Sequence, residues 1–175
     1  MRSAATGGAL VLALALAAAA PTGRAVQADG PVGYIGRDRV AALAEAAGVP
    51  VADRAPSPEA LASFAALVDP VHLRFFLRAS RPADLALAAA LGRAVEAAAN
   101  PALTAEFVGV AEDLSQPAAL VAENGVKTAP TVIVYWLGEE IARMDPAPGA
   151  VIDKDLAALI TVARTQIAQE MIGDD

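Results

Sequence analysis

Residues 125–140 have the sequence GVKTAPTVIVYWLGEE, which includes the most β-prone run of the chain. Every residue of Thr131–Trp136 is β-branched or aromatic, and this composition predicts a buried strand. Pro130 stands directly before that strand and follows a helix stop at Gly125. A proline has no backbone N–H for strand pairing, so its place at the entrance of the strand calls for a structural reason.

The residues on either side predict the remaining elements of a mixed α/β domain. In chain order these are a helix at 37–47, a helix beginning at Pro58, a strand at 71–77, a helix at 82–98, a strand at 106–110, a helix at 117–124, the strand at 131–136, a strand at 140–144 and a terminal helix capped by Asp153. Ser57 is the expected N-cap of the second helix, and Leu137-Gly138-Glu139 is the expected hairpin turn. Residues 29–36 are expected to be loose.

The order of these elements, β-α-β-α-β-β-α behind two N-terminal helices, restricts the sheets that can form. Strands joined through a helix by a right-handed crossover run parallel, which predicts that 71–77 and 106–110 are parallel neighbours. The last two strands are joined by a tight turn and must form an antiparallel hairpin. The expected fold class is therefore α/β, with a small mixed sheet flanked by helices on both faces.

The first 28 residues have the pattern of a signal peptide. Arg2 provides a positive charge, Gly7–Ala20 is an apolar run too short to cross a bilayer comfortably, and Pro21 ends it. Val26-Gln27-Ala28 places small residues where cleavage requires them, so Asp29 is the expected mature N-terminus. Cleavage predicts a periplasmic or secreted protein. The alternative is an uncleaved signal anchor, which would hold the chain at a membrane.

The charge and the cysteine count exclude several classes of function. Cleavage after Ala28 removes two of the 13 Lys and Arg residues and none of the 20 acidic ones, so the net charge falls from −7 to −9. An acidic chain without a basic patch argues against nucleic acids and anionic membrane surfaces as partners. The chain has no cysteine, so it forms no disulfide and performs no thiol chemistry. No cofactor is expected.

The element order, with a proline before the penultimate strand, resembles the thioredoxin family over roughly residues 70–172. The resemblance rests on the strand at 72–77, the helix opening Ser80-Arg81-Pro82-Ala83, the segment at 125–131 and the hairpin at 135–140. It implies that the Ala129–Pro130 peptide bond is cis and that Pro130 faces the start of the helix at Pro82. An ordinary trans proline at the entrance of an edge strand is the alternative.

The family's Cys-Gly-Pro-Cys motif falls where this chain has Ser80-Arg81-Pro82-Ala83. The family's enzymes need both cysteines, the first of them as a thiolate favoured by the helix N-terminus. A serine hydroxyl cannot form the mixed disulfide that the second cysteine would resolve. Many members also carry a buried acid six residues before the first cysteine, and Arg74 occupies that place here. The resemblance therefore implies a redox-inactive member that is not a self-sufficient thiol–disulfide oxidoreductase.

Other polar residues near the motif have ordinary structural explanations. Ser80 is expected to be the N-cap of the helix rather than a nucleophile, because no base or partnering carboxylate is evident near it. His72, the single histidine, lies within a predicted strand and is expected to be structural or at the surface. The pairs Glu112-Asp113 and Glu139-Glu140 lack the spacing of metal ligands, so no metal site is expected.

The part of the site that remains implies a binding function. In thioredoxin-like proteins, substrate peptides lie across the helix start and pair with the backbone before the cis-proline, which here is Thr128 and Ala129 beside Pro130. The resemblance then implies a protein that binds or scaffolds an extended polypeptide, or a periplasmic protein partner, by strand addition. One alternative is non-redox binding of a thiol or an anion, or enzyme activity, at Ser80 and Arg81. Another is an accessory subunit of a thiol–disulfide oxidoreductase system whose partner supplies the cysteines.

These predictions divide the chain into three parts. They are a signal peptide at 1–28, an N-terminal helical extension at 29–69 and a thioredoxin-like domain at 70–175. The sequence leaves open whether the two N-terminal helices pack on that domain.

Overall fold

The computed structural model describes residues 30–50 and 55–173, without the side chains of residues 171–173. In chain order the elements are β1 (Gly33–Ile35), α1 (Arg37–Ala46), α2 (Pro58–Ala65), β2 (Val71–Leu77), α3 (Pro82–Ala98), β3 (Leu103–Gly109), α4 (Ala118–Glu123), β4 (Thr131–Trp136), β5 (Glu139–Met144) and α5 (Ile152–Gly173). The predicted signal peptide and its cleavage site before Asp29 lie outside the described residues. Among the helices of the described part, none is both long and apolar enough to cross a bilayer.

Within the described residues, one sheet of five strands has the order β1-β3-β2-β4-β5. β2 and β3 run parallel, from Val71 opposite Leu103 to Leu77 opposite Gly109. β4 runs antiparallel to β2 on one side and to β5 on the other, and β1 runs antiparallel to β3. The predicted parallel neighbours and the predicted hairpin are thus confirmed, as is the mixed sheet flanked by helices.

The two faces of the sheet are covered unequally, and β2 contributes to both. Its residues Val71, Leu73, Phe75 and Leu77 belong to the main core, which also takes buried side chains from α1, α2, α3 and α5. Phe76 belongs to a smaller cluster on the opposite face, packed against Leu120 and Val121 of α4 and neighbouring residues. This alternation is the one that the sequence of β2 predicts.

The N-terminal helices pack on the same core, which answers the question that the sequence leaves open. Val40 and Ala44 of α1 and Ala60 and Phe64 of α2 are all nearly inaccessible to solvent. The side-chain amide of Asn100, just after α3, donates to the carbonyl of Phe64 at 2.9 Å and to the carbonyls of Ala65 at 3.2 Å and Leu67 at 2.8 Å. It thereby satisfies carbonyls at the end of α2 that have no partner within the helix.

Three predictions of local structure are wrong. Residues 33–35 are not loose but form β1, because the outer edge of β3 offers them backbone partners. β3 begins at Leu103 rather than Glu106, since pairing with β2 extends the strand beyond its β-prone residues. Asp153 does not cap α5; it lies in the first turn, and its carboxylate accepts the backbone N–H of Ser57 at 2.6 Å.

The hairpin turn is tighter than predicted. Its two residues are Leu137 and Gly138, both with positive φ, at 53° and 91°. Two such residues match the right-handed twist of the strands they join. β5 therefore starts at Glu139, one residue earlier than the sequence suggests.

Candidate functional site

The segment Ser80-Arg81-Pro82-Ala83 lies at the turn from β2 into α3, as predicted. Pro82 is the first residue of α3, and the N-cap is Arg81, whose side chain makes no capping hydrogen bond. The prediction that Ser80 caps the helix is therefore wrong. The hydroxyl of Ser80 instead donates to Oε1 of Glu112 at 2.7 Å.

Glu112, in the loop after β3, is considered from the sequence only as a metal ligand, and its contact with Ser80 is not predicted. Its Oε2 accepts from Nη2 of Arg81 at 2.5 Å and lies 3.5 Å from Nε of Arg78. The hydrogen bonds from Arg81 and then Ser80 hold the pKa of the Glu112 carboxyl below its usual range. The expectation that no carboxylate lies near Ser80 is thus overturned. No local signal could have found it, because the two residues are 32 positions apart.

A second carboxylate, Asp84, lies beneath the helix opening. It is 4% exposed, and its Oδ2 accepts the backbone N–H of Arg78 at 2.9 Å. Burial raises the pKa of the Asp84 carboxyl, and the hydrogen bond from Arg78 opposes that shift in part. Asp84 thus ties the last turn before α3 to the first turn of the helix.

The loop before β4 lies beside the helix opening. The Ala129–Pro130 peptide bond is cis, which confirms the prediction, and the Gln116–Pro117 bond is cis as well. Nη1 of Arg78 donates to the carbonyl of Ala129, and the Thr131 hydroxyl donates to the carbonyl of Thr128 at 2.9 Å. The backbone N–H groups of Thr128 and Ala129 make no hydrogen bond within the described part of the chain.

The segment Gly30–Val32 forms the third side of the site. A Cβ built on Gly30 would lie 2.6 Å from the carbonyl carbon of Ala79 and 2.7 Å from the nitrogen of Ser80, so the two backbones are in close contact. Next to it, a cleft of about 410 Å³ is lined by Val32 and by the loop that carries Glu112. We call the surface between Ser80–Ala83 and Thr128–Pro130 the Pro130 groove.

His72 and Arg74 belong to a different cluster, toward the amino end of β2. Nδ1 of His72 lies 2.9 Å from the Thr104 hydroxyl, and Nε2 lies 3.2 Å from Oε2 of Glu106. Arg74 donates to the same Glu106 oxygen at 2.8 Å and to Oδ1 of Asn124 at 2.8 Å. His72 is therefore a half-buried residue of the sheet surface, as predicted, and it does not serve Ser80 as a base.

The chemistry available at the site is limited. Ser80 has a carboxylate neighbour, but a carboxylate of lowered pKa is a weak base for a hydroxyl. Arg81 is half exposed and already paired with Glu112. Across residues 30–50 and 55–173, no three His, Asp or Glu side chains are grouped so that they could hold a metal ion.

Comparison with known proteins adds little to this geometry. No protein-family model matches the chain, and no curated protein matches it. A crystal structure of a protein of unknown function from Pseudomonas aeruginosa is similar at 19% identity, over 77% of this chain and 78% of that chain, with a TM-score of 0.43. A likeness at this level supports no inference about function.

Proposed function

We propose that this chain is a thioredoxin-like protein without redox activity, and that it binds an extended polypeptide segment in the Pro130 groove. The observation that carries the proposal is the contact between the two loops of the site. Arg78, just before the helix opening, donates to the carbonyl of Ala129, just before Pro130. The strand order β1-β3-β2-β4-β5, with Pro130 at the entrance of β4, supports the family likeness.

Thr128 and Ala129 are the residues that we propose pair with the bound segment. Their backbone N–H groups have no partner in the described part of the chain. Because successive N–H groups of an extended segment face opposite sides, one of the two would donate to a carbonyl of an incoming strand. The Ala129 carbonyl already accepts from Arg78, so an incoming strand would use the second lone pair of that oxygen or displace Arg78. Because the chain has no cysteine, the bound segment is held without any covalent exchange.

The small-molecule and enzyme alternatives at the helix opening have less support. Glu112 already neutralises Arg81 at 2.5 Å, so an incoming anion would have to compete with a carboxylate of the same chain. Its lowered pKa also makes it a poor activator of the Ser80 hydroxyl. The accessory role beside an oxidoreductase differs from the main proposal in the partner that it names, so partner identification separates the two.

We further propose that residues 1–28 direct export, so that the protein acts in the periplasm or outside the cell. The support is the charge at Arg2, the apolar run at 7–20 and the small residues at 26–28. N-terminal sequencing of the exported protein should begin at Asp29, and an intact Met1 would show a retained anchor.

The binding proposal is tested by site-specific photocross-linking. A benzophenone amino acid is placed at the half-buried Thr128 and, as a matched control, at Val162, which is 54% exposed on α5. Each protein is irradiated in a periplasmic extract, and cross-linked polypeptides are identified by mass spectrometry. We expect a specific polypeptide from position 128 that is absent from position 162.

The captured segment is then made as a synthetic peptide and tested with single N-methyl groups along its length. Strand addition predicts that N-methylation weakens binding at alternate positions only, since every second N–H of a paired strand faces its partner. Equal capture from both positions, or a uniform response to N-methylation, would contradict the proposal. Capture of a disulfide-bearing oxidoreductase through a folded surface would favour the accessory role instead.

A further inference from the structure

The N-terminal segment enters the described fold at one wall of the Pro130 groove. A Cβ built on Gly30 would lie 2.6 Å from the carbonyl carbon of Ala79 and 2.7 Å from the nitrogen of Ser80, which leaves no room for a side chain. Glycine is the residue that permits so close an approach of two backbones. Gly30 therefore lies beside the helix opening, and whatever precedes it in the chain is attached there.

The course of the chain after Gly30 is fixed by contacts with β3. A Cβ on Gly109, at the end of β3, would overlap the carbonyl oxygen of Pro31, and Gly33 pairs with Gly109 where β1 begins. Val32, between these two contacts, lines the neighbouring cleft. Because consecutive Cα atoms are about 3.8 Å apart, a segment attached to Gly30 starts within that distance of it, at the helix opening.

Residues 1–29 precede Gly30, and they consist of the proposed signal peptide and Asp29. The residues next to the predicted cleavage site, Ala25-Val26-Gln27-Ala28, carry no charge and include no proline. They can therefore form backbone hydrogen bonds as an extended strand, which is what the segment proposed for the groove must do. A tether also raises the effective concentration of such a segment at a neighbouring site to the millimolar range.

We propose that the signal peptide, while it is attached, occupies the Pro130 groove with its last residues, and that hydrolysis of the Ala28–Asp29 bond by a signal peptidase opens the groove. The inference rests on the function and the export proposed above. At an effective concentration on the order of 1 mM, an attached segment with a Kd of about 0.1 mM weakens the binding of a free polypeptide about tenfold. After cleavage only Asp29 remains before Gly30, and a single residue spans at most about 3.6 Å. The groove thus becomes available only in the exported protein.

A single thiol measures access to the groove without any partner. The chain has no cysteine, so Ser80→Cys places one thiol on the groove wall, and Val162→Cys places one at an exposed position of α5 as the matched control. The full chain is purified with its signal peptide, and the rate of maleimide modification is measured before and after cleavage by purified signal peptidase. We expect the Ser80→Cys thiol to react about tenfold faster after cleavage, and the Val162→Cys thiol to react at the same rate in both forms. Equal rates at position 80, or the same change at both positions, would overturn the proposal.

The peptide identified by cross-linking at position 128 provides the second test. Its affinity is measured by isothermal titration calorimetry for the full chain and for a chain that begins at Asp29, and circular dichroism checks that both fold. We expect about tenfold weaker binding by the full chain. Moving residues 21–28 to the C-terminus, after Asp175, is the matched control and should leave the affinity of the chain that begins at Asp29 unchanged.

The outcomes separate this inference from the proposed function. Lack of peptide binding by the chain that begins at Asp29 would overturn the proposed function and this inference with it. Equal binding by both chains, or equal weakening by the residues moved to the C-terminus, would overturn this inference alone.

Discussion

The guanidinium of Arg78 donates a hydrogen bond to the backbone carbonyl of Ala129, which lies 51 positions further along the chain. Nε of the same side chain reaches the carbonyl of Glu112 at 3.2 Å. Because Arg78 follows β2, Glu112 follows β3 and Ala129 precedes β4, one arginine joins the loops at one end of three neighbouring strands. Its side chain is only 12% exposed, so this junction is part of the packed structure.

Replacing Arg78 with alanine should change peptide binding in the Pro130 groove. The Ala129 carbonyl then becomes fully available to an incoming strand, which no longer shares it with a charge-assisted hydrogen bond. We expect Arg78→Ala to bind the cross-linked peptide about tenfold more tightly, measured by isothermal titration calorimetry. Arg78→Lys, which keeps a cation at the position, is the control and should change the affinity less. Equal or weaker binding by folded Arg78→Ala would show that this carbonyl takes no part.

Replacing Asp84 with asparagine should alter the pH dependence of stability. Because burial raises the pKa of this carboxyl, the folded protein binds its proton more tightly than the unfolded chain does. The stability contributed by Asp84 is therefore lost as the pH rises from the unfolded-state pKa through the folded-state pKa. Asp84→Asn keeps an acceptor for the N–H of Arg78 and removes this loss.

Urea unfolding of both proteins between about pH 4 and about pH 7 checks the result. The free energy of unfolding of Asp84→Asn should vary less with pH over this range and be no lower than that of the unaltered protein at the upper end. A clear loss of stability near neutral pH would show that the charged carboxylate contributes more through Arg78 and Arg81 than its burial costs.

Replacing Gly109 with alanine should detach the N-terminal segment from the sheet. A Cβ at this position would overlap the carbonyl oxygen of Pro31 and lie 2.8 Å from Cδ1 of Ile35. We expect a loss of about 1–3 kcal/mol in the free energy of unfolding and faster hydrogen exchange at residues 33–35. Gly92→Ala is the control. Its Cβ would lie 3.1 Å from Cγ of the flexible Arg37 side chain and 3.6 Å, an ordinary contact distance, from Cζ of Phe107, so an unchanged or higher stability is expected there. Similar losses from both variants would point to a general cost of adding a methyl group.

Replacing Asn100 should weaken the attachment of α2 to the core, by an amount that depends on the substituted side chain. Asn100→Ala removes the donor to three carbonyls at the end of α2 and should lower the free energy of unfolding by about 1–3 kcal/mol. Asn100→Asp keeps the acceptor for the N–H of Ala102 but brings a negative charge to a helix C-terminus, so it should be less stable than the alanine variant. Thermal unfolding, monitored by circular dichroism, gives the order of stability of the two variants. The reverse order would show that the bond to Ala102 matters more than the amide donors.

The elements that could be predicted with accurate bounds are those whose ends carry local signals. α3 begins at Pro82, whose missing N–H suits a first helical position, and β4 begins directly after Pro130. β1 could not be predicted, because three residues show no periodicity and their pairing depends on β3, more than 70 positions away. The register of β3 was likewise decided by its partner β2 rather than by its own composition.

Only the backbone positions of the site could be predicted from the sequence. The sequence places Ser80–Ala83 at a helix opening and Pro130 at a strand entrance, and the structure links the two loops through the hydrogen bond from Arg78 to the Ala129 carbonyl. The Ser80 hydroxyl bonds to Glu112, 32 positions away, and the Asp153 carboxylate accepts the backbone N–H of Ser57, 96 positions away. Short polar residues at a helix start suggest a cap before they suggest a distant partner. Tertiary contacts therefore determine the hydrogen-bond partners of Ser80 and Asp153.

The two outermost strands affect how copies of this protein behave when they are crowded together. β1 has only three residues, and β5 carries the exposed charges of Glu139, Glu140 and Arg143, with an irregular register between Val134 and Tyr135 of its neighbour. Short or charged outer strands give a second molecule few aligned groups on which to extend the sheet. The fold is thus protected against polymerising edge to edge, and concentrated solutions should remain monodisperse in light scattering.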